Sequence, residues 1–453
     1  RNNLCPIELS EQFPNVFQLR DMAAVNEWGN NSLSARYQYE IGESGYGLTL
    51  AAVSDYQMYF LKDDFTYQRN SSRGRETVIR PFGIDNRLTE FKFKQQADFS
   101  FGGLTFTTGF ALYQYESEYL EDSFRRVNFT DRSTVSQFDL FGQAEVTEYN
   151  NIHLFAGSRL HYYSEGTFLR ASPRIKMRLF PDAHISFGAG YSRSHEFLNQ
   201  IEISNVQAAD IWILANGEQP PAQSDHFSTG LYFNLSPGTQ FQIEGYLKQI
   251  ENMRLHESAT QFIPSTIESE VPWYYQNRLD AFGLELLFIR DLGAVHLSQA
   301  YTWSKAEIEN PRINQGDQFY ADWDRRHQFY SLAGFQLGRG FELNIAWTYA
   351  TGAPNRLFEI LEATQNPTIV GEVNRLDDLS RIDLSLSYST TNVEAKLFFY
   401  NLTDQKNVWY REFDVLVEEN PQAPIRERYS TTGLPVNFYD LGFQPSFNLS
   451  VRF

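Results

Sequence analysis

The sequence predicts an all-β protein, a transmembrane antiparallel β-barrel of the outer-membrane type. Three observations predict it: apolar and polar residues alternate along much of the chain, the alternating segments are long, and their connections come in two sizes. The alternation is plainest at the end, where Leu441, Phe443, Phe447, Leu449, Val451 and Phe453 interleave with Gly442, Gln444, Ser446, Asn448, Ser450 and Arg452. At 381–389, Ile382, Leu384, Leu386 and Tyr388 oppose Arg381, Asp383, Ser385 and Ser387. A soluble sandwich alternates too, so length decides. The segments run roughly 11 to 16 residues, longer than the ~5 to 6 usual in globular sheets and enough for the ~9 to 11 that cross a bilayer at a tilt.

In chain order, residues 1–30 read as a loop or an incomplete first strand, and 31–453 as barrel. Strand patterns begin near 31 and 45, and a polar stretch over 61–84 leads to the pattern at 85, which turns at Gly102-Gly103 into one at 104. A second polar stretch, 120–132, leads to 133, with a turn over Glu148 to Asn151. The next outer connection, 164–166, is brief and joins 151 to 167, which turns at Pro181 to Ala183. The rhythm repeats with long connections at 198–222, 254–274, 309–322, 354–376 and 411–438, and short turns at Ser236 to Gly238, Asp291 to Gly293, Gly338 to Gly340 and Thr390 to Asn392. Short turns on one rim and long loops on the other are the signature of an outer-membrane barrel. About 17 to 18 strands are counted, from a probable total near 22 for a large even-numbered barrel.

Composition removes several alternatives. With 38 Lys and Arg against 56 Asp and Glu, the net charge of −18 excludes a generally basic nucleic-acid binder. The lone Cys5 excludes an internal disulfide framework and a multi-thiolate metal centre. Mean hydropathy is −0.44, and no apolar run approaches the ~18 residues of a membrane helix. A barrel escapes that test because its lipid-facing residues are diluted by polar ones on the other face. Aromatics reach 16%, with 38 Phe and 26 Tyr. Tyr59, Tyr162, Trp303 and Trp347 fall near expected strand ends, as an interfacial girdle requires.

The eight histidines show no metal-ligand spacing, and no cofactor motif appears. Asp225-His226 suggests a hydrolytic pair, but no third partner is identifiable in the sequence, so the chain is read as having no catalytic residues. Charges alternating with the apolar face, such as Arg36, Lys92, Lys94, Asp98, Glu244 and Lys248, are expected to line the lumen. Ligand-contact candidates come from loops and rims. They are the rings Trp212, Trp273, Tyr274 and Trp409, and the charged strand entrance Asp324, Arg325 and His327, whose plainer role is a salt-bridged rim. The apolar stretch Ile211 to Ala215 inside a long connection suits an interface with a surface lipoprotein lid or a neighbouring subunit. Arg73, Arg75 and Arg80 are placed to meet lipopolysaccharide phosphates at the lipid surface.

Some motifs carry a family resemblance. The closing Leu449-Ser450-Val451-Arg452-Phe453 resembles the assembly signal of outer-membrane barrels. Tyr400-Asn401-Leu402-Thr403-Asp404 resembles an element on the penultimate strand of TonB-dependent receptors. The pair Asp324-Arg325-Arg326-His327 and Tyr349-Ala350-Thr351-Gly352-Ala353-Pro354 is similar to elements of the Bacteroidetes-type members. The resemblance implies the outer membrane of a Gram-negative bacterium, a 22-stranded barrel closed by a plug domain, and uptake of a scarce metal chelate, glycan or peptide driven by the TonB complex. No plug or TonB box is read in this sequence, so the expectation is the C-terminal barrel portion of such a receptor. The alternative is a plugless porin or scaffold subunit.

Overall fold

The computed structural model describes residues 24–452 apart from 72–73, 124–125, 150, 203–209, 257–272, 312–315, 355–374 and 420–428. Twenty-two strands are present among them. The first eight are β1 (Ala24–Ile41), β2 (Gly45–Ser71), β3 (Gly74–Phe101), β4 (Leu104–Ser123), β5 (Arg126–Tyr149), β6 (Ile152–Tyr163), β7 (Phe168–Leu179) and β8 (Ile185–Glu196). A small hairpin, β9 (Leu198–Glu202) and β10 (Asp210–Leu214), follows. Then come β11 (Ala222–Ser236), β12 (Thr239–His256), β13 (Trp273–Asp291), β14 (Val295–Glu309), the two-residue β15 (Phe319–Tyr320), β16 (His327–Gly338), β17 (Phe341–Ala350), β18 (Leu379–Ser389) and β19 (Val393–Tyr400). A second hairpin, β20 (Val408–Glu419) and β21 (Tyr429–Tyr439), precedes β22 (Gln444–Val451).

Eighteen strands form one antiparallel sheet. Each wall strand pairs with the next, from β1 through β8, then β8 to β11, onward to β19, and finally β19 to β22, while β15 pairs with the outer end of β14. Among the described pairings none joins β1 to β22. The wall therefore has the seventeen strands that the alternation predicts, and most of their starts fall within a few residues of the expected ones. β1 begins at Ala24, ahead of the residue 31 read from the sequence.

Three expected loops are strand instead; 411–438 falls largely within the β20–β21 hairpin. β2 and β3 pair from Gly45↔Phe99 out to Ser71↔Gly74, and β4 and β5 run to Ser123↔Arg126, so 61–84 and 120–132 belong largely to tall hairpins. At ~3.3 Å per residue, a 27-residue strand is roughly 90 Å long, several times a bilayer crossing. Beyond the membrane a strand no longer needs an apolar side to face lipid. The apolar side then disappears from the sequence while the ladder continues.

Register assigns the faces. Phe93 pairs with Ala51 and Leu112, whereas Lys94 pairs with Leu50 and Ala111, and Arg36 lies opposite Leu50. Phe91, Phe93, Leu112, Phe138 and Leu140 are exposed on the outward face; the charged line faces the lumen. A wide barrel has no single dry core, and the buried apolar residues gather instead in clusters at the long-loop end.

Candidate functional site at the outer mouth

The mouth is built by connections that fold back over the wall. One of them, between β8 and β11, carries the β9–β10 hairpin inward against β3 and β4. Ile211, Ile213, Leu214 and Ala215 are at most 2% exposed. Leu214 and Ala215 pack with Phe197 on Leu88, Tyr115, Val135 and Tyr163 of the lumenal face. Burying each large apolar side chain contributes ~1.5 to 3 kcal/mol, which offsets the ordering of a long loop. The stretch read as a lipoprotein or subunit interface is thus consumed within the chain itself.

Polar groups fix the hairpin's position. Asn86, fully buried, accepts from the Trp212 backbone N–H at 2.8 Å and donates to the Trp212 carbonyl at 3.1 Å, in the manner of a missing strand neighbour. Tyr163 donates its hydroxyl to the Ala215 carbonyl at 2.9 Å and stacks on Phe197 with centroids 4.7 Å apart. Asn216 caps the following turn by accepting from the Glu218 and Gln219 N–H groups. Arg254, on the outer extension of β12, donates to the Gln219 carbonyl at 2.8 Å. Its Nε and Nη1 have no partner among the described residues, and burial pushes the guanidinium down to about 10, although Tyr163, Asp131 and Glu196 favour its charge. Replacing Asn86 by alanine leaves the Trp212 N–H and carbonyl unpaired. It is expected to free the hairpin by about 2 to 3 kcal/mol, read as faster amide exchange over 198–216 with the wall strands unchanged.

A second junction explains the strand entrance at 324–327. Asp324 is buried. One of its oxygens accepts from the Ala306 N–H at 2.8 Å, and the other receives Arg375 at 2.5 Å and Arg326 at 3.3 Å. Arg375 also donates to the Asp324 carbonyl at 2.7 Å and to the Gly352 carbonyl at 3.0 Å. The guanidiniums of Arg326 and Arg375 lie over the Tyr320 ring, each 5.2 Å from its centroid. Arg325 donates to the Thr351 carbonyl, and burial together with the neighbouring Arg375 pushes its guanidinium below its ordinary value. Gly352 is required here: a Cβ would lie 1.6 Å from the Leu376 carbonyl oxygen. The Asp-x-Arg-His and Thr-Gly-x-Pro elements are therefore two halves of one clasp between the β14–β16 and β17–β18 connections.

Asp324, Arg325 and His327 come together in this clasp. His327 belongs to its outward edge, with Nδ1 2.8 Å from the Tyr301 hydroxyl and its N–H donated to Thr351 Oγ1. Trp212 lies apart, in the β9–β10 hairpin, its ring edge-on to Tyr56 at 6.5 Å. Trp409 is 59% exposed at the start of β20. Trp273 and Tyr274 open β13, paired with His256 and Leu255, while their side chains, like those of Arg73, Arg75 and Arg80, lie outside the described residues. Asp225 and His226 do not form a pair. They occupy opposite faces of β11, with Asp225 held by Arg193 at 2.8 and 2.9 Å and by the Tyr191 hydroxyl at 2.7 Å, and His226 edge-on to Tyr246. Asn86, Tyr163 and Arg254 were not legible as mouth residues because each is one polar or aromatic side chain within an ordinary strand pattern. Among the described residues no cluster of His, Cys, Asp and Glu has the make-up of a metal site.

Residues 10–402 match the family model of the TonB dependent receptor-like β-barrel. Among solved structures, the outer membrane transporter YddB of Escherichia coli superposes with a TM-score of 0.61 at 13% identity, over 94% of this chain and 63% of that one. BauA, the ferric preacinetobactin receptor of Acinetobacter baumannii, gives 0.56 at 12% identity over the same shares. Fiu, the ferric-catecholate import receptor of E. coli K12, also gives 0.56 at 12%, over 94% of this chain and 64% of that one. The chain thus spans less than two thirds of the length of these relatives. No curated protein matches the sequence. The family model covers the type as a whole and does not single out the Bacteroidetes members. With its seventeen-strand wall, its alternating short turns and long connections, and this match, the chain is a multi-pass outer-membrane β-barrel protein and belongs to the TonB-dependent receptor family.

Proposed function

We propose that this chain forms the barrel of a TonB-dependent transporter that captures a scarce extracellular ligand at its outer mouth and passes it inward. The observation that carries this reading is a mouth assembled from infolded connections, the β9–β10 hairpin and the 324–352 clasp, on a wall whose sequence matches the receptor family. Energised passage implies a plug domain in the lumen and the TonB complex as partner. Structural neighbours include receptors for ferric preacinetobactin and for ferric catecholates, which favours a metal chelate over a glycan or a peptide. Trp212 and the exposed Trp409 are the rings proposed to meet such a ligand, with Arg325 supplying charge. This reading needs no catalytic residue, and lipid and lipopolysaccharide surround the barrel.

The test is uptake in the native bacterium. Deleting the gene for the whole protein is expected to abolish growth on one of a panel of ferric chelates supplied as sole iron source, with regrowth on complementation. Retained growth on every chelate would shift the ligand to the glycan or peptide class. Large steady conductance steps from the native protein in a planar bilayer would replace the transporter reading with an open pore.

A further inference from the structure

A hydrogen-bonded chain near the outer end of the wall starts on the lumenal face of β5, β6 and β7, passes to β8 and β11 beyond the end of the β7–β8 ladder, and runs from one carboxylate to another. Gln137 and His161 both approach Asp139 Oδ1, at 2.9 and 2.8 Å. His161 Nε2 lies 3.0 Å from Ser172 Oγ, and the same oxygen lies 3.1 Å from His195 Nδ1. His195 Nε2 is 3.2 Å from Gln223 Oε1, and the Gln223 amide donates to Asp225. Five strands, β5, β6, β7, β8 and β11, are joined by six side chains.

Counting protons shows that the chain is one short when both imidazoles are neutral. Asp139 accepts only, so His161 Nδ1 carries a hydrogen and its Nε2 is a bare acceptor. Asp225 also accepts only, which orients the Gln223 amide so that its oxygen faces His195. His195 Nε2 must then carry a hydrogen, leaving Nδ1 bare. Ser172 has one hydroxyl hydrogen for two bare nitrogens, and whichever nitrogen it does not serve points a lone pair at oxygen. One added proton repairs the sequence, with one imidazolium donating to Ser172 Oγ and Ser172 donating to the other ring.

We propose that His161 and His195 share one bound proton across Ser172, and that binding it latches β8 to the β5–β7 wall beneath the loop that closes the mouth. The location gives the proton leverage. The β7–β8 ladder ends at Arg174↔Ser192, so beyond that pair no strand pairing joins the two, while β8 continues alongside β11 to Glu196. His195 spans this notch. Two residues later, Phe197 stacks on Tyr163 and packs 5.4 Å from the His161 ring, where the infolded connection begins. A cavity of about 590 Å³, lined by Arg159, His161, Ser172, Arg174 and His195, opens beside the chain and gives protons a path from the lumen.

Connectivity alone also resembles a Ser-His-Asp hydrolytic triad. The second imidazole argues against it. Ser172 is 6% exposed and its oxygen is clamped between two rings, so His195 takes the direction from which an electrophile would approach.

The charged neighbours are Asp139 on β5, Arg159 on β6, Arg170 and Arg174 on β7, Arg193 on β8 and Asp225 on β11. Burial and the charges of His161, Arg170 and Arg193 oppose a proton at His195, whereas its hydrogen bond to Gln223 favours one. These two sets of forces predict opposite slopes. The completed hydrogen bonds set the sign proposed here: the latch is complete in acid and is lost as pH rises through the shared titration.

The experiment is amide exchange over 198–221 in the full-length receptor in lipid nanodiscs between pH 5 and 8.5, corrected for intrinsic rates, alongside ¹⁵N-histidine spectra. Protection is expected to fall toward tenfold per pH unit above the midpoint, the limit for one linked proton. His161 and His195 should report a single coupled titration. His195→Gln supplies a non-titrating side chain and should flatten the slope, and Ser172→Ala should separate the two histidines. Flat protection in the native protein overturns the proposal, as does the reverse slope that burial alone dictates or an unchanged slope in His195→Gln. Should the variants fail to fold, two neutral imidazoles throughout this range in the native spectra overturn it on their own.

Discussion

Replacing Asp324 by alanine is expected to open the clasp between the β14–β16 and β17–β18 connections, with a loss of ~3 to 5 kcal/mol, the range for removing one partner of a buried ion pair. The side chain is fully buried, and its two oxygens serve Ala306, Arg326 and Arg375 together. Without it, Arg325, Arg326 and Arg375 are left as a group of like charges beside an unpaired N–H. Because the two pairing guanidiniums remain about a quarter exposed, the lower half of that range is the firmer expectation. Asp324→Asn preserves an acceptor for Ala306 and should lose roughly half as much. Arg375→Ala in the Asp324→Ala background should add little, since the partner has already gone. Limited proteolysis and amide exchange at 310–326 and 351–354 read the effect. Equal protection in Asp324→Ala and the native protein would show that the clasp is held by backbone pairing and apolar packing instead.

The same clasp shows how the sequence can reveal a motif but not its purpose. Period-two alternation made the wall readable because membrane strands have one apolar side, and most of the seventeen strand starts follow from it. The period failed where that asymmetry is absent. β2 and β3 continue past Lys62 and Phe82, beyond the height at which a strand needs an apolar side, so the sequence there looks like loop although the ladder persists. Ile211 to Ala215 misled in the other direction. An apolar run within a polar connection signals burial, and whether it is buried against a partner or against its own barrel depends on the position of Asn86 and Tyr163, some 50 to 130 residues away. Asp225-His226 appeared paired because the residues are adjacent, and alternation itself places them on opposite faces. The Asp139–His161–Ser172–His195 chain is invisible for the complementary reason. Its members are scattered through the sequence, and only the registers Asp139↔His161 and Arg159↔Ser172 bring them within reach.

Asn401→Ala is expected to have the other large effect, at the junction that seats the last strand. Asn401 is fully buried with φ at 49°, in the left-handed region where asparagine is among the better-tolerated side chains. Its amide donates to the Gln405 and Leu441 carbonyls at 3.0 Å each, its carbonyl oxygen accepts from the Gln405 N–H, and its backbone N–H donates to Asp383. Asp404 then accepts from the Phe443 N–H at 2.8 Å, and Tyr400 donates to Asp440 at 2.8 Å beside Arg381. The Tyr-Asn-Leu-Thr-Asp element thus turns the chain out of β19 and holds the segment returning from the β20–β21 hairpin, so that β22 meets β19 in register from Tyr400↔Gln444 to Val393↔Val451. Alanine removes three buried hydrogen bonds and keeps the unfavourable φ, a combined loss of about 3 to 5 kcal/mol. Asn401→Gly relieves the backbone while still removing the bonds, so it should recover only about 1 kcal/mol of that loss. The readout is the fraction of protein that stays folded and heat-modifiable on a gel after outer-membrane extraction. A glycine variant that restores the native fraction would assign the motif to backbone conformation. Glycine and alanine variants that fail nearly alike would assign it to the hydrogen bonds that join Gln405 and Leu441, and so to the seating of the final strand.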